Sequence, residues 1–406
     1  MENHWPFEFP GVNWLDEEEQ HAVLDVVENG SLFRYYGPVE PTHVHQLEAY
    51  AKAYFGVKYA LAVNSGTGAL FTSMSALGVG PGCEVIVPAY MWVATVGAVV
   101  RHNAIPVFCE VDESFTMDPA DLERKITPRT KLIVPVHMSG APSDMSRIME
   151  IANGHKIAVM EDCAQSSGGS FNSQKLGTFG DVGIYSFQIN KNITAGEGGL
   201  IVTNDESIYM RALSAHDLGV PWTNAEPDVA SGINLWGHGR RMSELCGAVA
   251  NVQIRKMQQI VNHMRESKWR IRESLGGSNG MQLRRINDPQ GDTGPALIMT
   301  FEEGGRAKDA ASFIKSEGFS NVWHMPEYGL HIYYNIPSLV NKVPLSAAGN
   351  PWKLRENAES IYDYSKGACP QSDDLFERSV LVSIPSRLTL KQENAMSDVI
   401  SKAVGA

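Results

Sequence analysis

The sequence predicts an α/β protein in which a mostly parallel sheet carries helices on both faces and a smaller α/β domain follows. Three observations support this fold class. From about residue 41 to 205, short apolar runs alternate with helical patterns, as in repeated βα units. The 406 residues suit two domains better than one. A long helical pattern from Ser243 to about Leu275 leads into the second half. We therefore predict domains at 1–262 and 263–406.

The first domain opens with an amphipathic helix, because Val44, Leu47, Ala51 and Tyr54 recur at helical spacing. Further helical patterns lie at 66–78 and 91–102, and another helix is predicted to begin at Asp118. Short apolar runs between them predict buried strands at 59–63, 85–87, 105–108, 132–136, 157–160 and 183–187. Because ligands of such sheets bind beyond the carboxyl ends of the strands, residues at those ends are candidate site residues.

The second domain is predicted less completely. Ser243 is a typical helix-capping residue ahead of the long helix. A strand is predicted at 295–301 and a helix at 307–316. The stretch 319–375 is rich in Tyr, Trp, His and Pro and has no clean period, so we expect irregular loops there, some of them functional.

Composition excludes several classes of protein. A formal net charge of -12 gives no basic field for nucleic acid. The five cysteines are scattered and lack C-x-x-C spacing, which argues against a disulfide framework or a metal site and favours a reducing compartment. The amino terminus does not resemble a signal peptide, and no run approaches the length of a membrane span. We therefore expect a cytoplasmic protein with a small-molecule ligand.

The segment around Lys191 carries the most specific chemical signal. It reads Tyr185–Thr194 with Lys191 near its centre, and Gly196–Gly199 follows directly. An acid at a strand end, a hydroxyl, a lysine and a glycine cluster, in that order, suit an enzyme that holds pyridoxal phosphate as a Schiff base. A lysine in a dry, positively biased site has a lowered pKa and acts as a nucleophile and proton shuttle. A lysine alone is usually a solvated surface residue; the surrounding motif reverses that expectation.

Asp162 ends an apolar strand in Glu161–Gln165. A carboxylate there can face the pyridine nitrogen of the cofactor and keep it protonated, which makes the ring an electron sink. The alternative is a helix cap, because aspartate is common before a helix. Gln165 is three residues on and can contact the phenolic oxygen of the cofactor, although a lone glutamine more often lies on the surface.

The turn Ser65–Gly68 lies between a predicted strand and a predicted helix. Its glycines allow the backbone to approach an anion, and the helix N-terminus supplies N–H groups and a favourable dipole for a phosphate. Taken alone, the pattern is more typical of a tight strand–helix turn than of a phosphate site. Trp92 follows the next strand and can stack on the pyridine ring, or can simply belong to the core.

These residues resemble the DegT/StrS-type aminotransferases, often called sugar aminotransferases, which have the aspartate aminotransferase fold. The resemblance spans about residues 30–260 and is loose thereafter. It is carried by blocks that occur in the expected order: 64–70, 80–88, 161–165, 176–183, 185–187, 191–192, 196–199 and 241–244. It implies the type I fold of pyridoxal-phosphate enzymes, with a seven-stranded sheet and a smaller C-terminal α/β domain.

The resemblance also implies roles, site by site. The cofactor-binding residues would be Gly66, Thr67 and Ser186 at the phosphate, Trp92 on the ring, Asp162 at the ring nitrogen, Gln165 at the phenolic oxygen and Lys191 at the imine. Lys191 and Asp162 would be the catalytic pair. The implied enzyme is a homodimer with its active site at the interface. It would transfer an amino group from L-glutamate or L-glutamine to a keto or aldehyde sugar.

One departure concerns the phosphate. The family block reads Gly-x-Asn-aromatic-Arg, and its Asn reaches the phosphate across the dimer; here Gly239 occupies that position. His238, Arg240 or Asn234 are the candidate replacements. A weaker resemblance, in 32–35, 136–140 and 285–293, is to the subgroup that includes the 8-amino-3,8-dideoxy-octulosonate aminotransferase, which acts on an acidic sugar without a nucleotide.

Arg34 and His324 are candidates to meet a substrate carboxylate or hydroxyl, with a surface salt bridge for Arg34 and a packed position for His324 as the alternatives. Two other functions remain open at this point. The first is a pyridoxal-phosphate-dependent sugar dehydratase, although the dehydratases of the family have His where this chain keeps Lys191. The second is a regulatory protein that binds the cofactor without turnover, against which the intact Lys191, Asp162 and Gln165 argue.

Overall fold

A seven-stranded sheet forms the centre of the large domain in the computed structural model, which describes residues 9–219, 234–276 and 280–405. The described residues form strands in all three sheets of the protein, which in chain order are β1 (Tyr59–Val63), β2 (Glu84–Pro88), β3 (Ile105–Cys109), β4 (Thr130–Ile133), β5 (Ala158–Asp162), β6 (Ser170–Phe171), β7 (Gln174–Lys175), β8 (Val182–Ser186), β9 (Gly199–Thr203), β10 (Met281–Leu283), β11 (Ala296–Phe301), β12 (Val322–His324) and β13 (Ser379–Ser383).

The helices are α1 (Glu17–Asn29), α2 (His43–Phe55), α3 (Gly66–Ala76), α4 (Val93–Arg101), α5 (Pro119–Lys125), α6 (Met145–His155), α7 (Glu206–His216), α8 (Glu244–Leu275), α9 (Gly304–Ser316), α10 (Pro337–Val340), α11 (Pro370–Glu377) and α12 (Leu390–Gly405). The amphipathic helix predicted from Val44 onward is α2. The serine cap predicted for the long helix is confirmed, because the Ser243 side chain accepts the Cys246 N–H at the start of α8.

The order of the large sheet is β1-β9-β8-β5-β4-β2-β3. Strand β9 runs antiparallel to both of its neighbours, and the pairs among β8, β5, β4, β2 and β3 are parallel. The expectation of a mostly parallel seven-stranded sheet is therefore confirmed. The carboxyl ends of β5 and β8 lie side by side, which brings Asp162 and Ser186 to the same edge.

Both faces of this sheet are covered, because its strands alternate their side chains between two cores. Leu61 and Val63 of β1 pack with α3, α4 and α7, whereas Ala60 and Ala62 pack with α2, α6 and α8. Such double coverage explains why the predicted strands read as continuous apolar runs. Among the described residues, no helix is long and apolar enough to cross a membrane.

The second domain contains a four-stranded antiparallel sheet of order β10-β11-β13-β12, packed on α9 and α12. The boundary predicted at 262/263 falls inside α8, whose residues pack on both domains. The irregular stretch predicted at 319–375 contains β12, α10 and several single 3-10 turns. Part of it returns to the large domain, where Tyr333 and Tyr364 are buried beside Phe108.

Candidate active site

One cavity of about 540 Å³ opens beyond the carboxyl ends of β5 and β8. All seven residues predicted to bind the cofactor line it: Gly66, Thr67, Trp92, Asp162, Gln165, Ser186 and Lys191. They come from five separate segments of the large domain. The second domain adds Asn321, Trp323 and Leu381, so the cavity lies between the two domains.

Asp162 is the last residue of β5, and its side chain is buried. One carboxylate oxygen accepts the Thr95 hydroxyl at 2.7 Å, and the other accepts the Ala164 N–H at 3.0 Å. Burial raises the pKa of Asp162, while these two hydrogen bonds and the nearby Lys191 act in the opposite direction. No helix begins after Asp162, so the helix-cap alternative does not apply.

The strand end that carries Asp162 is fixed from behind by Glu161. This fully buried carboxylate accepts the backbone N–H groups of Gly177, Phe179 and Gly180 and contacts His137 Nε2 at 3.2 Å. His137 Nδ1 in turn accepts the Ser143 N–H at 3.0 Å, so the neutral ring carries its proton on Nε2. Glu161, His137 and Cys163 have the spacing of metal ligands, but hydrogen bonds already occupy Glu161 and His137.

Lys191 lies half-buried in the turn after β8. Burial lowers the pKa of its ammonium group, and Asp162 opposes this shift through its negative charge. Its backbone is anchored at both ends, because its N–H donates to Gln188 O and its carbonyl accepts the Gly11 N–H. A lysine held in this way keeps its amine close to Asp162 and more readily deprotonated than a surface lysine.

Gly66 and Thr67 form the first turn of α3, whose N-cap Ser65 accepts the Gly68 N–H at 2.8 Å. Gly66 lies against Ser186, and a Cβ on Gly66 would lie 2.6 Å from the Ser186 Cβ. The Ser186 hydroxyl therefore borders the free N–H groups of this helix end. The arrangement provides N–H and O–H donors at the positive end of a helix dipole, which suits a phosphate group.

An aromatic wall lies on the Trp92 side of the cavity. The Trp92 ring is 4.6 Å from His331, centroid to centroid, and His331 stacks on Tyr328 at 4.1 Å with an interplanar angle of 9°. His331 Nδ1 contacts the Tyr328 carbonyl oxygen at 3.1 Å, so Nδ1 is its donor nitrogen. Burial lowers the pKa of His331 to about 4, and the ring stays neutral at physiological pH with an acceptor nitrogen available.

The sequence did not single out His331 or Tyr328. Both lie in the stretch that lacks a clean period, and their position depends on a backbone contact between distant segments, in which Met91 N–H donates to His331 O. The only available signal was the richness of this stretch in aromatic residues and histidine.

The two predicted substrate residues do not line the cavity. Arg34 is buried; it pairs with Glu48 at 2.7 Å and donates to Ala62 O at 2.8 Å. His324 is also buried, and its Nε2 lies 2.7 Å from Glu377 O. His324 is therefore packed, as its alternative stated, whereas the salt bridge of Arg34 is buried and not at the surface.

The segment with Gly239 runs beside the N-terminus of α3, because the Asn64 N–H donates to Arg240 O at 2.8 Å. Gly239 has a φ of 64°, and a Cβ there would meet no atom of the described residues within 4 Å. The Arg240 guanidinium lies 4.5 Å from the Phe71 ring centroid, and within the described part of the chain its Nε has no hydrogen-bond partner.

Proteins of known function share sequence with this chain. A GDP-perosamine synthase of Vibrio cholerae is 33% identical over 268 residues, which cover 65% of this chain and 69% of that protein. A UDP-N-acetyl-3-dehydro-alpha-D-glucosamine 3-aminotransferase of Acidithiobacillus ferrooxidans is 32% identical over 350 residues, which cover 86% of this chain and 84% of that protein.

The crystal structure of S. venezuelae DesV in complex with a ketimine intermediate superposes with a TM-score of 0.78 at 25% identity, covering 96% of this chain and 95% of that one. The predicted type I fold is thereby confirmed. A model of the DegT/DnrJ/EryC1/StrS aminotransferase family matches residues 13–402. The chain therefore belongs to the DegT/DnrJ/EryC1/StrS aminotransferase family, a family that uses pyridoxal phosphate.

Proposed function

We propose that this protein is a pyridoxal-phosphate-dependent aminotransferase that transfers an amino group from L-glutamate or L-glutamine to a keto or aldehyde sugar. The observation that carries the proposal is the convergence of seven residues from five segments on one cavity, with Lys191 and Asp162 close enough for each to shift the pKa of the other group. Perturbed, paired titratable groups in a cleft are typical of catalytic sites.

The residues present fit the cofactor. A buried carboxylate whose pKa is raised by burial lacks a strong cationic partner, and a protonated ring nitrogen would supply one to Asp162. The glycine at position 66 lets Ser186 pack directly against the first turn of α3, so the Ser186 hydroxyl and the N-terminal end of the helix border the same part of the cavity. The exposed ring of Trp92, held by His331, offers a flat apolar surface. When bound, pyridoxal phosphate supplies the electron sink on which amino transfer depends.

Each residue then has a definable task. Lys191 is the nucleophile, because its lowered pKa makes the neutral amine more available at neutral pH. With the cofactor bound, the free Lys191 amine would move a proton between the α-carbon of the substrate and the cofactor carbon that carries the nitrogen, in one direction for the amino donor and in the opposite direction for the acceptor. Asp162 would hold a proton on the ring nitrogen through its negative charge, and the Thr95 hydroxyl fixes the direction of that carboxylate.

The substrate class is supported by the relatives. The matching proteins are named for a GDP-linked sugar and for a UDP-linked 3-keto sugar. We therefore propose a role in sugar biosynthesis, with a nucleotide-linked keto sugar as the first acceptor to test. Lys191 is the only lysine or arginine among the described residues that line the cavity. Any further positive charge that binds the diphosphate of such a substrate must therefore come from residues outside this lining.

A homodimer is part of the proposal. Large apolar side chains are exposed on the segments that flank β1 and α3, and Trp236 is the extreme case, with 94% of its surface accessible. Leu218 and Tyr36 are also exposed. Large exposed apolar side chains of this kind are what an association surface would cover. Light scattering coupled to size-exclusion chromatography tests it: a dimer is expected, and Trp236→Glu should shift the mass towards the monomer.

The five free cysteines are consistent with a cytoplasmic location, because a reducing compartment keeps thiols unpaired. The two alternative functions are less well supported. A dehydratase of this family would have His at the lysine position, which here is Lys191. A regulatory protein without turnover would have no need of the Lys191–Asp162 pair, and the comparisons name aminotransferases.

A half-reaction screen tests the function. The purified protein is saturated with pyridoxal phosphate and offered glutamate, glutamine or alanine, and the visible absorbance band of the cofactor is followed. Loss of that band identifies the amino donor. Nucleotide-linked keto sugars and free aldehyde sugars are then added, and return of the band identifies the acceptor. If no amino donor bleaches the band, the proposed function is wrong.

A further inference from the structure

The turn Met138–Gly140 lies at the cavity and is built in an unusual way. Ser139 has φ 52° and ψ 36°, the left-handed region, although it is neither glycine nor asparagine, and only 4% of its surface is accessible. A residue held in this region costs free energy and persists only where its surroundings fix it. The contacts that fix this turn come largely from the second domain.

Arg284 is the central contact. It follows β10, lies fully buried, and donates from Nε to Ser114 O at 2.5 Å and from Nη2 to Met138 O at 3.0 Å. Burial lowers the pKa of Arg284 to about 10, so the guanidinium is still charged at neutral pH. A buried cation that donates to backbone carbonyls gives charge-assisted hydrogen bonds, which are stronger than neutral ones.

Two further contacts complete the support. The Tyr90 hydroxyl shares a hydrogen bond of 2.8 Å with the Ser139 hydroxyl. The Thr293 N–H, just before β11, donates to Gly140 O at 3.0 Å, and Pro295 packs directly on Gly140. The turn is therefore held between the core of the large domain and the segment that enters the second sheet.

The turn has one contact with the predicted cofactor residues. The Ser139 backbone N–H lies 3.1 Å from Gln165 Oε1. A backbone N–H can only donate, so the amide atom that faces it must be the oxygen. The Gln165 NH2 group is then the part of the amide that remains for the cavity. The orientation of this amide is set by the position of Ser139.

We propose that Arg284 is a positioning residue for the cofactor: through the Met138–Gly140 turn it fixes the Gln165 amide so that its NH2 group donates to the phenolic oxygen of pyridoxal phosphate. This inference rests on the proposed function. It assigns a role at the large-domain site to a residue of the second domain that the cavity does not contact. It also explains why the strained Ser139 conformation is retained.

The inference predicts a spectroscopic effect. A donor at the phenolic oxygen stabilises negative charge there and so lowers the pKa at which the lysine-bound cofactor loses its proton. Loss of the donor should therefore raise that pKa. The pKa is read from the pH dependence of the visible absorbance of the resting enzyme, without substrate and without turnover.

The experiment compares Arg284→Met and Gln165→Leu with the wild-type holoenzyme. Gln165→Leu should raise the spectroscopic pKa by about 0.5 to 1, the size of one lost hydrogen bond, and Arg284→Met should move it in the same direction. The matched control is Arg285→Met. Arg285 is adjacent in sequence but half-exposed; it pairs with Asp112 and does not reach the turn, so its titration should match the wild type.

Thermal unfolding of each variant separates stability from positioning. If Arg284→Met lowers the Tm and leaves the spectroscopic pKa at the wild-type value, Arg284 is merely structural and the inference is overturned. If Arg284→Met does not fold, Arg284→Lys decides, since it keeps the buried charge but replaces the two donor nitrogens with one; an unchanged pKa then has the same meaning. If the wild type binds no cofactor at all, the proposed function fails first.

Discussion

The Thr95 hydroxyl donates to Asp162 Oδ2 at 2.7 Å, from the first turn of α4 to the end of β5. This contact joins two elements of the cavity wall and directs a buried carboxylate towards the space beside Lys191. It also satisfies a negative charge that burial alone would disfavour. Thr95 thus belongs to the site through its contact with Asp162, a role that no local sequence pattern indicates.

Asp162→Asn should separate catalysis from stability. The amide keeps the shape and can still accept the Ala164 N–H, but it cannot hold a proton on the ring nitrogen. Activity should fall on the order of 100- to 1,000-fold, as when one preorganised electrostatic contact is lost. The cofactor-free protein should be as stable as the wild type or more so, because a buried charge is removed. Steady-state kinetics and apoprotein Tm check this; near-normal turnover would mean that another acid faces the ring.

Lys191→Ala should abolish transamination and leave the fold intact, because it removes a nucleophile and no core packing. Borohydride treatment of the wild-type holoenzyme should attach the cofactor to the peptide that contains Lys191, as read by mass spectrometry. Lys308→Ala, at an exposed position on α9, is the control and should retain both activity and labelling. A label on a different lysine would refute the assignment.

Gly66→Ala should weaken cofactor binding more than it changes stability. The new methyl group would lie 2.6 Å from the Ser186 Cβ and would displace the hydroxyl at the predicted phosphate position. We expect the Kd for pyridoxal phosphate to rise at least 10-fold, measured by fluorescence titration of the apoprotein. Gly154→Ala, near the end of α6 with open space around it, adds the same methyl group as a control and should bind normally.

His331 predicts a pH dependence of stability. Its pKa falls from the ordinary 6.5 to about 4 on folding. Between these values the unfolded state binds more protons than the folded state, so the free energy of unfolding rises with pH from about 4 to 6.5 and is lost as pH falls through that window.

His331→Phe should remove up to one proton from this dependence, a slope of at most about 1.4 kcal/mol per pH unit. Some slope should remain, because burial lowers the pKa of His216 to about 4 as well. Urea unfolding at pH 4.5, 5.5 and 6.5 measures the difference between variant and wild type. Identical slopes would show that His331 titrates normally in the folded protein.

Gly239→Asn tests whether the side-chain amide that the family carries at this position, and that this chain lacks, can be restored. Gly239 has a φ of 64° with open space around it, and asparagine is among the residues that tolerate this conformation best. The variant should fold normally and bind pyridoxal phosphate more tightly than Gly239→Ala, which has the same backbone strain without the amide. Equal affinities of the two variants would mean that no cofactor phosphate lies within reach of position 239.

Much of the large domain follows from periodicity. Its buried strands are short apolar runs separated by turn residues, and α3 begins at the predicted serine–glycine turn. Strand β9 was not predicted, because its apolar run Leu200–Val202 is very short and directly follows the glycine cluster at 196–199. Its antiparallel direction depends on pairing with β1, some 140 residues earlier, which no local pattern encodes.

The residues of the site also divide into those that local sequence patterns place and those that tertiary contacts place. Residues at strand ends and helix starts, such as Asp162 and Gly66, have positions that local patterns fix, and all of them meet at the cavity. Arg34 and His324 lie away from the cavity, because their partners, Glu48 and the Glu377 carbonyl, are set by tertiary packing. His331 and Arg284 contribute through contacts between distant segments, which is why sequence reasoning did not find them.

Helix α8 runs unbroken for 32 residues, about 48 Å at 1.5 Å per residue, and its two ends belong to different domains. A continuous helix of this length resists bending. A hinge motion between the two domains would therefore have to bend or unwind α8. Because residues along α8 pack in the cores of both domains, the two domains share this helix. For the same reason, a proteolytic cut in the middle of α8 should not liberate two autonomous fragments.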